Sequence, residues 1–89
     1  MTTDNEEEIN LDSMKVAKKI DCTGLFCPEP LYQTRTNLDS INIGDILEIL
    51  ADDPAAEEDI KRLIKRTGHK LLKFENNDGI FRFLIQKLK

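Results

Sequence analysis

The side chain most able to do chemistry in this chain is a cysteine that stands directly before two prolines. In the segment DCTGLFCPEP, Cys27 is followed by Pro28, Glu29 and Pro30. Proline is well tolerated at the first positions of a helix, because its missing N–H has no intrahelical partner there. The spacing therefore predicts a helix that begins at Pro28, with Cys27 at or beside its N-cap. Gly24 permits a sharp turn just before the thiol.

The predicted position of Cys27 has two opposite effects on its thiol. The positive end of a helix lowers the pKa of a nearby thiol below its ordinary value of about 8.5. Pro28 and Pro30, however, have no N–H to donate, and Glu29 adds negative charge. We therefore expect only a moderately lowered pKa, and a thiol that the stiff prolines hold outward.

The second cysteine, Cys22, continues the inward alternation of Val16 and Ile20. This alternation predicts that Cys22 lies in the core. A redox pair with Cys27 stays open from the residues alone, although the C-x4-C spacing differs from the C-x-x-C of thioredoxin-like proteins. The same spacing is wrong for a zinc site, so we expect no metal and no cofactor.

Four other polar residues are candidates for contacts with a partner or a bound anion. Asp53 is expected to cap the second helix and Asp52 to face solvent. His69, the only histidine, follows that helix at the start of a strand, from where it could approach the thiol. Arg35, one or two turns beyond Cys27, could lie near the thiol or on a solvated helix face.

Hydrophobic periodicity predicts the element order β-α-β-α-β-β. KVAKKIDC and DILEILA read as strands, each followed by a helix; the first helix ends near Leu38, and the second is framed by Asp53, Pro54 and Gly68. HKLLKFE and IFRFLIQKLK are two strands joined by the hairpin signal NNDG. The fold class expected is α+β, a two-layer α/β sandwich with two helices on one face of a four-stranded sheet.

The charge is unevenly distributed along the 89 residues. The net charge is -4, and five of the 17 acidic residues fall within residues 1–14, which contain no base. We expect residues 1–14 to be a disordered acidic tail and residues 15–89 to be one nearly neutral domain. A nearly neutral domain is not expected to bind DNA. A basic set on and after the second helix fits either a docking face or helix-dipole and ion-pair roles: Lys61, Arg62, Lys65, Arg66, Lys70 and Lys73.

The chain carries no signal for a membrane or for secretion. Its apolar runs are far shorter than the ~20 residues of a membrane span, and its N-terminus is acidic. The expected location is the cytoplasm.

The segment around Cys27 resembles the D-x-x-G-L-x-C-P-x-P signature of the TusA/SirA-like sulfur carriers. The residues that match this signature are Asp21, Gly24, Leu25, Cys27, Pro28 and Pro30. The likeness covers about residues 16–87, and further matches are Arg35, Gly44, ADDPA at 51–55, His69, Leu71 and FRFLIQK.

The resemblance implies a mixed four-stranded sheet and a sulfur-carrier mechanism. Cys27 would accept sulfane sulfur as a persulfide from a cysteine desulfurase or rhodanese-type donor. It would then pass the sulfur to an acceptor protein such as a TusD/DsrE-like one. The chain would be a sulfurtransferase-type carrier rather than a stand-alone catalyst, and a monomer is expected. The end point implied first is tRNA 2-thiouridine, with dissimilatory sulfur metabolism or molybdenum-cofactor supply as alternatives.

Overall fold

The structure is a computed structural model that describes residues 16–89. Within this range lie the strands β1 (Val16–Cys22), β2 (Ile46–Ala51), β3 (Lys70–Asn77) and β4 (Ile80–Gln86), and the helices α1 (Glu29–Ser40) and α2 (Pro54–Thr67). The predicted order β-α-β-α-β-β is confirmed. The acidic tail expected at residues 1–14 lies outside the described residues.

The four strands form one mixed sheet in the order β1-β2-β4-β3. β1 and β2 are parallel, with α1 as the crossover between them, while β4 is antiparallel to both of its neighbours. Cys22 pairs with Ala51, so β1 and β2 end at the same edge of the sheet. This edge holds the loops that follow both strands.

Both helices pack on one face of the sheet, as expected for a two-layer sandwich. The core cluster on this face contains Leu38 from α1 and Ala56, Ile60 and Ile64 from α2. The sheet contributes alternate apolar residues, which are Cys22, Leu47, Ile49, Ala51, Phe81, Phe83 and Ile85. Burial of each large side chain stabilises the fold by about 1.5–3 kcal/mol.

Helix α2 has the boundaries that its sequence predicts. The Asp53 side chain caps it by accepting the N–H of Ala55, Pro54 occupies the first position, and Gly68 ends it with φ +82°. On its surface, Lys61 and Glu57 form an ion pair with 2.8 Å between Nζ and Oε2. Lys61 also lies 4.0 Å above the centre of the Phe74 ring.

Helix α1 differs slightly from its prediction. It begins at Glu29, with Pro28 as N-cap, and it continues to Ser40 rather than ending near Leu38. Pro28 has φ -101° and ψ 17°, which are not helical angles, so the helix begins one residue later than predicted.

The hairpin between β3 and β4 turns at Asp78 and Gly79, the last two residues of the predicted NNDG signal. Both residues have positive φ, 54° and 86°, as a two-residue hairpin turn of this kind requires. The Asn76 side chain accepts the N–H of Gly79 at 3.0 Å and closes the turn.

Charged side chains of alternating sign cross the sheet on the face opposite the helices. Arg82 donates to Glu48 at 2.9 Å and to Glu75 at 3.1 Å. Lys19 and Lys73 extend this ladder at its two ends. Among residues 16–89, no helix is long and apolar enough to cross a membrane.

Candidate thiol site

The candidate site is the loop from β1 to α1, and Asp21 and Gly24 shape its first turn. One oxygen of Asp21 accepts the backbone N–H of Thr23 at 2.9 Å and its hydroxyl at 2.6 Å. The hydroxyl contact, followed by the backbone contact, lowers the pKa of Asp21 below its ordinary value. Gly24 has φ +85°, a conformation that a residue with Cβ adopts rarely, and Leu25 donates back to the Cys22 carbonyl. The chain thus turns sharply at the end of β1.

Two aspartates that follow β2 fasten this loop. Asp52 accepts the N–H of Gly24 at 3.0 Å, and Asp53 accepts the N–H of Cys27 with Oδ2. The other oxygen of Asp53 caps α2 through the N–H of Ala55 at 3.1 Å. Asp53 caps α2 and Asp52 is exposed, as expected, but their contacts with the Cys27 loop were not expected. The parallel pairing of β1 and β2 brings the two loops together at one edge of the sheet.

The residues after Cys27 anchor the start of α1. The peptide bond between Cys27 and Pro28 is cis. Glu29 is exposed and donates its N–H to the Phe26 carbonyl at 2.8 Å. Pro30 is fully buried, and its carbonyl accepts the buried hydroxyl of Thr34 at 2.8 Å. Pro30 therefore holds the first turn against the sheet while Cys27 stays outside it.

The thiol of Cys27 is exposed and touches a carboxylate of α2. Its Sγ donates to Oδ2 of Asp59 at 3.1 Å. This hydrogen bond, with smaller effects of burial and of the negative charges of Asp59 and Asp53, raises the pKa of Cys27 above its ordinary value. The expectation of a moderately lowered pKa was wrong, because the prolines remove helix donors while two carboxylates approach from another element.

Two aromatic side chains close to Cys27 in the sequence are exposed. Phe26, directly before Cys27, is 77% exposed, and Tyr32, in the first turns of α1, is 54% exposed. Leu25, by contrast, is partly buried and packs against the core. The segment that carries the thiol therefore leaves two aromatic rings open to solvent.

The other cysteine takes no part in this surface. Cys22 is fully buried in the core, as predicted, and burial raises the pKa of its thiol, with smaller effects of Asp21 and Glu29. Both cysteines are free thiols. Because one faces the core and the other faces solvent, the fold does not favour a redox pair.

Two of the predicted candidates lie away from the thiol. His69 stands at the start of β3, where Lys70 pairs with Gln86 and Gln86 with Ile46. This is the opposite end of β2, about 17 Å away because the six residues of the strand are separated by five rises of about 3.3 Å. His69 therefore does not approach Cys27, and its Nδ1 accepts the N–H of Leu88 instead. Arg35 is exposed on α1, eight residues beyond Cys27.

Sequence reasoning missed the role of Asp59. Its contact with Cys27 spans 32 residues of sequence. Local sequence patterns do not predict such a contact. The available signal was that Asp53 and Asp59 both lie in the first half of the segment that forms α2.

The comparisons with known proteins agree with this geometry. The family model described as "Sulfurtransferase TusA" matches residues 18–87. The chain belongs to the TusA family. The resemblance inferred from the Cys27 segment is thereby confirmed. Membership of the TusA family supports a sulfur-carrier role, and with it a sulfur donor and a sulfur acceptor in general.

Individual relatives cover most of this TusA-family chain. A candidate sulfur carrier protein of Archaeoglobus fulgidus is 48% identical over 73 residues, which are 81% of this chain and 95% of that protein. The sulfur carrier protein TusA of Allochromatium vinosum is 33% identical over 70 residues, which are 79% of this chain and 92% of that protein. The crystal structure of a SirA-like protein from Desulfitobacterium hafniense superimposes with a TM-score of 0.72 at 19% identity, covering 81% and 99% of the two chains. It shares the α+β fold with its four-stranded mixed sheet.

Proposed function

We propose that this TusA-family chain carries sulfane sulfur as a persulfide on Cys27. The observation that supports this role best is the exposed thiol on a loop that Asp52 and Asp53 fasten at two backbone N–H groups. A carrier thiol must reach into two different partners in turn, so it has to stand outside its own fold. It must also keep a fixed position, since a poorly placed nucleophile reacts slowly.

The proposed donor is a cysteine desulfurase or a rhodanese-type protein, and the proposed acceptor is a TusD/DsrE-like protein. The Cys27 sulfur attacks the terminal sulfur of the donor's persulfide, and the donor's cysteine leaves with the proton that Cys27 loses. Delivery to the acceptor repeats the exchange in the other direction. No oxidant or reductant is consumed, and no cofactor takes part. The chain acts as a monomeric cytoplasmic carrier rather than as a stand-alone catalyst.

The end point that we propose first is the 2-thiouridine of tRNA. The alternatives from the same family are a relay in dissimilatory sulfur metabolism and sulfur supply to the molybdenum cofactor. The three differ in the acceptor and not in the chemistry at Cys27. Deleting the gene and measuring 2-thiouridine in bulk tRNA distinguishes the first role from the other two, because only the first role predicts its loss.

The direct test is mass spectrometry of the full chain after incubation with a cysteine desulfurase and cysteine. The expected product carries one additional sulfur atom, which a reductant removes. Cys27→Ser abolishes the addition, whereas Cys22→Ala leaves it intact. Sulfur found on Cys22, or retained by Cys27→Ser, would contradict the assignment of Cys27.

A further inference from the structure

The carboxylate that touches the Cys27 thiol is itself held in place by a cation. Asp59 lies early in α2; its Oδ2 accepts from Cys27 Sγ at 3.1 Å, and its Oδ1 accepts from Arg62 at 3.2 Å. The Asp59 side chain is 23% exposed, whereas that of the adjacent Glu58 is 84% exposed. Both oxygens of Asp59 are therefore held by a partner, whereas the Glu58 side chain is largely exposed to solvent.

The charged groups that act on the Cys27 sulfur come from the start of α2. They are the carboxylates of Asp59 and, more weakly, of Asp53. Arg62 contacts Asp59 rather than the sulfur, and so holds that carboxylate in its place beside the thiol. An ionised acceptor forms a stronger bond with an S–H group than a neutral one does.

We propose that Asp59 is a positioning residue for sulfur transfer, whose carboxylate accepts the S–H of the empty carrier and repels the persulfide of the loaded carrier. This proposal rests on the proposed role of Cys27. In the empty carrier, the S–H points at Asp59, and the sulfur is held as a weakly nucleophilic thiol. A carrier of this kind does not attack sulfur compounds that it meets free in solution.

Loading with sulfur turns the favourable contact between Cys27 and Asp59 into a repulsive one. The Cys27 thiol and the donor persulfide R–S–SH give Cys27–S–SH and R–SH: the donor's S–S bond breaks, a new one forms at Cys27 Sγ, and the thiol proton passes to the donor's sulfur. The Sγ atom then has no proton to donate to Asp59. A persulfide is more acidic than a thiol, so the terminal sulfur becomes an anion beside a carboxylate. Repulsion turns this terminal sulfur away from α2 and toward an acceptor.

The same reasoning defines the chemistry of a productive partner. A lysine or arginine beside the partner's cysteine would offset the negative charge of Asp59 and Asp53. It would favour the thiolate of Cys27 during loading and stabilise the anion during delivery. Sulfur then moves readily only within a docked complex that supplies this cation.

The first arm of the test measures the rate at which iodoacetamide alkylates Cys27 between pH 6 and pH 10. Asp59→Asn keeps the shape of the side chain and removes its charge. Glu58→Gln removes the same charge from the adjacent position, which also faces Arg62 but not Cys27. Asp59→Asn is expected to shift the rate profile to lower pH and to raise the rate at pH 7 roughly threefold per pKa unit, since a tenfold gain in thiolate is partly offset by lower nucleophilicity. Glu58→Gln is expected to follow the wild type.

An unchanged profile for Asp59→Asn, or an equal shift for Glu58→Gln, would overturn the proposal. Asp59→Ala serves as a second variant, and the same direction of shift is expected. A purely structural role for Asp59 would change the free energy of unfolding without moving the pH profile of a thiol that stays exposed.

The second arm uses glutathione persulfide as the sulfur donor and intact mass as the readout. Asp59→Asn is expected to raise the ratio of loaded to empty carrier at pH 7 on the order of tenfold, which is the value of one charge-assisted hydrogen bond. Equal loading of wild type and Asp59→Asn would contradict the proposed role of Asp59 but not the proposed role of Cys27. Failure of the wild type to gain sulfur on Cys27 from a cysteine desulfurase and cysteine would contradict the proposed function, while the alkylation arm would still decide the contact between Asp59 and Cys27.

Discussion

Asp53 holds Cys27 and helix α2 with the two oxygens of a single carboxylate. One oxygen accepts the N–H of Cys27 and the other caps the helix through Ala55. The loop that carries the thiol is therefore attached to an element that begins 27 residues later in the sequence. Its position therefore depends on the sheet edge that β1 and β2 share as well as on the prolines that follow it.

Asp53→Ala should destabilise the protein and loosen the loop together. Loss of the helix cap costs about 1 kcal/mol, within a usual range of about 0.5–2 kcal/mol. Asp53→Asn should be milder, because asparagine is also a good cap, but its single carbonyl oxygen cannot accept both N–H groups. Urea unfolding measures the first effect and hydrogen exchange of the Cys27 amide measures the second. Unchanged protection of that amide in Asp53→Ala would show that the contact between Asp53 and Cys27 is not formed in solution.

Selective alkylation should separate the two cysteines. In the folded protein iodoacetamide is expected to label Cys27 alone, and in urea both thiols. After mild oxidation, both thiols should still be free in the monomer, because Cys22 is enclosed by the core. Mass spectrometry after alkylation in urea measures this directly. A disulfide between Cys22 and Cys27 would instead support the thiol–disulfide redox module that the sequence left open.

The single histidine should make stability depend on pH near neutrality. Burial, and then the charge of Lys87, lower the pKa of His69 below its ordinary 6.5, and its Nδ1 accepts a hydrogen bond only when unprotonated. Between the two pKa values the unfolded chain binds more protons, so stability is full above pH 6.5 and falls as the pH falls toward the folded pKa. Urea unfolding at pH 7.5 and 5.5 tests this, with His69→Asn as the control that removes the histidine's share of the change. A folded pKa above 6.5 by NMR titration would reverse the sign.

On the sheet face opposite the helices, replacing Lys73 at the end of the charge ladder should lower stability less than replacing Arg82 in its middle. The Glu48 side chain is buried, only 8% exposed, and Arg82 is its nearest cation. Arg82→Leu leaves that carboxylate without this partner and is expected to cost about 3 kcal/mol, the lower end for a broken buried pair because Arg82 is partly exposed. Lys73→Ala removes a surface partner of Glu75 and should change stability much less. An equal decrease in the free energy of unfolding in the two variants, measured by urea unfolding, would show that the Glu48 carboxylate is solvated without Arg82.

The sequence predicted the elements well because their signals are local. Phe81, Phe83 and Ile85 alternate along β4 and are all buried, and the cap and stop of α2 followed from Asp53 and Gly68. The motif led to Cys27, but not to the electrostatics of its thiol. Those depend on Asp59, which reaches Cys27 only because two parallel strands end side by side.

The buried position of Cys22 gives the chain an intrinsic reporter of its own stability. This thiol becomes reactive only when β1 separates from the core, so its alkylation rate in the absence of denaturant measures how often the domain opens. Cys27 reacts from the folded state and calibrates the reagent in the same sample. A variant that alters only the carrier thiol changes the alkylation rate of Cys27, and a variant that weakens the fold changes the alkylation rate of Cys22. For every substitution above that keeps both cysteines, these two rates separate an effect on the carrier thiol from an effect on the fold without an engineered probe.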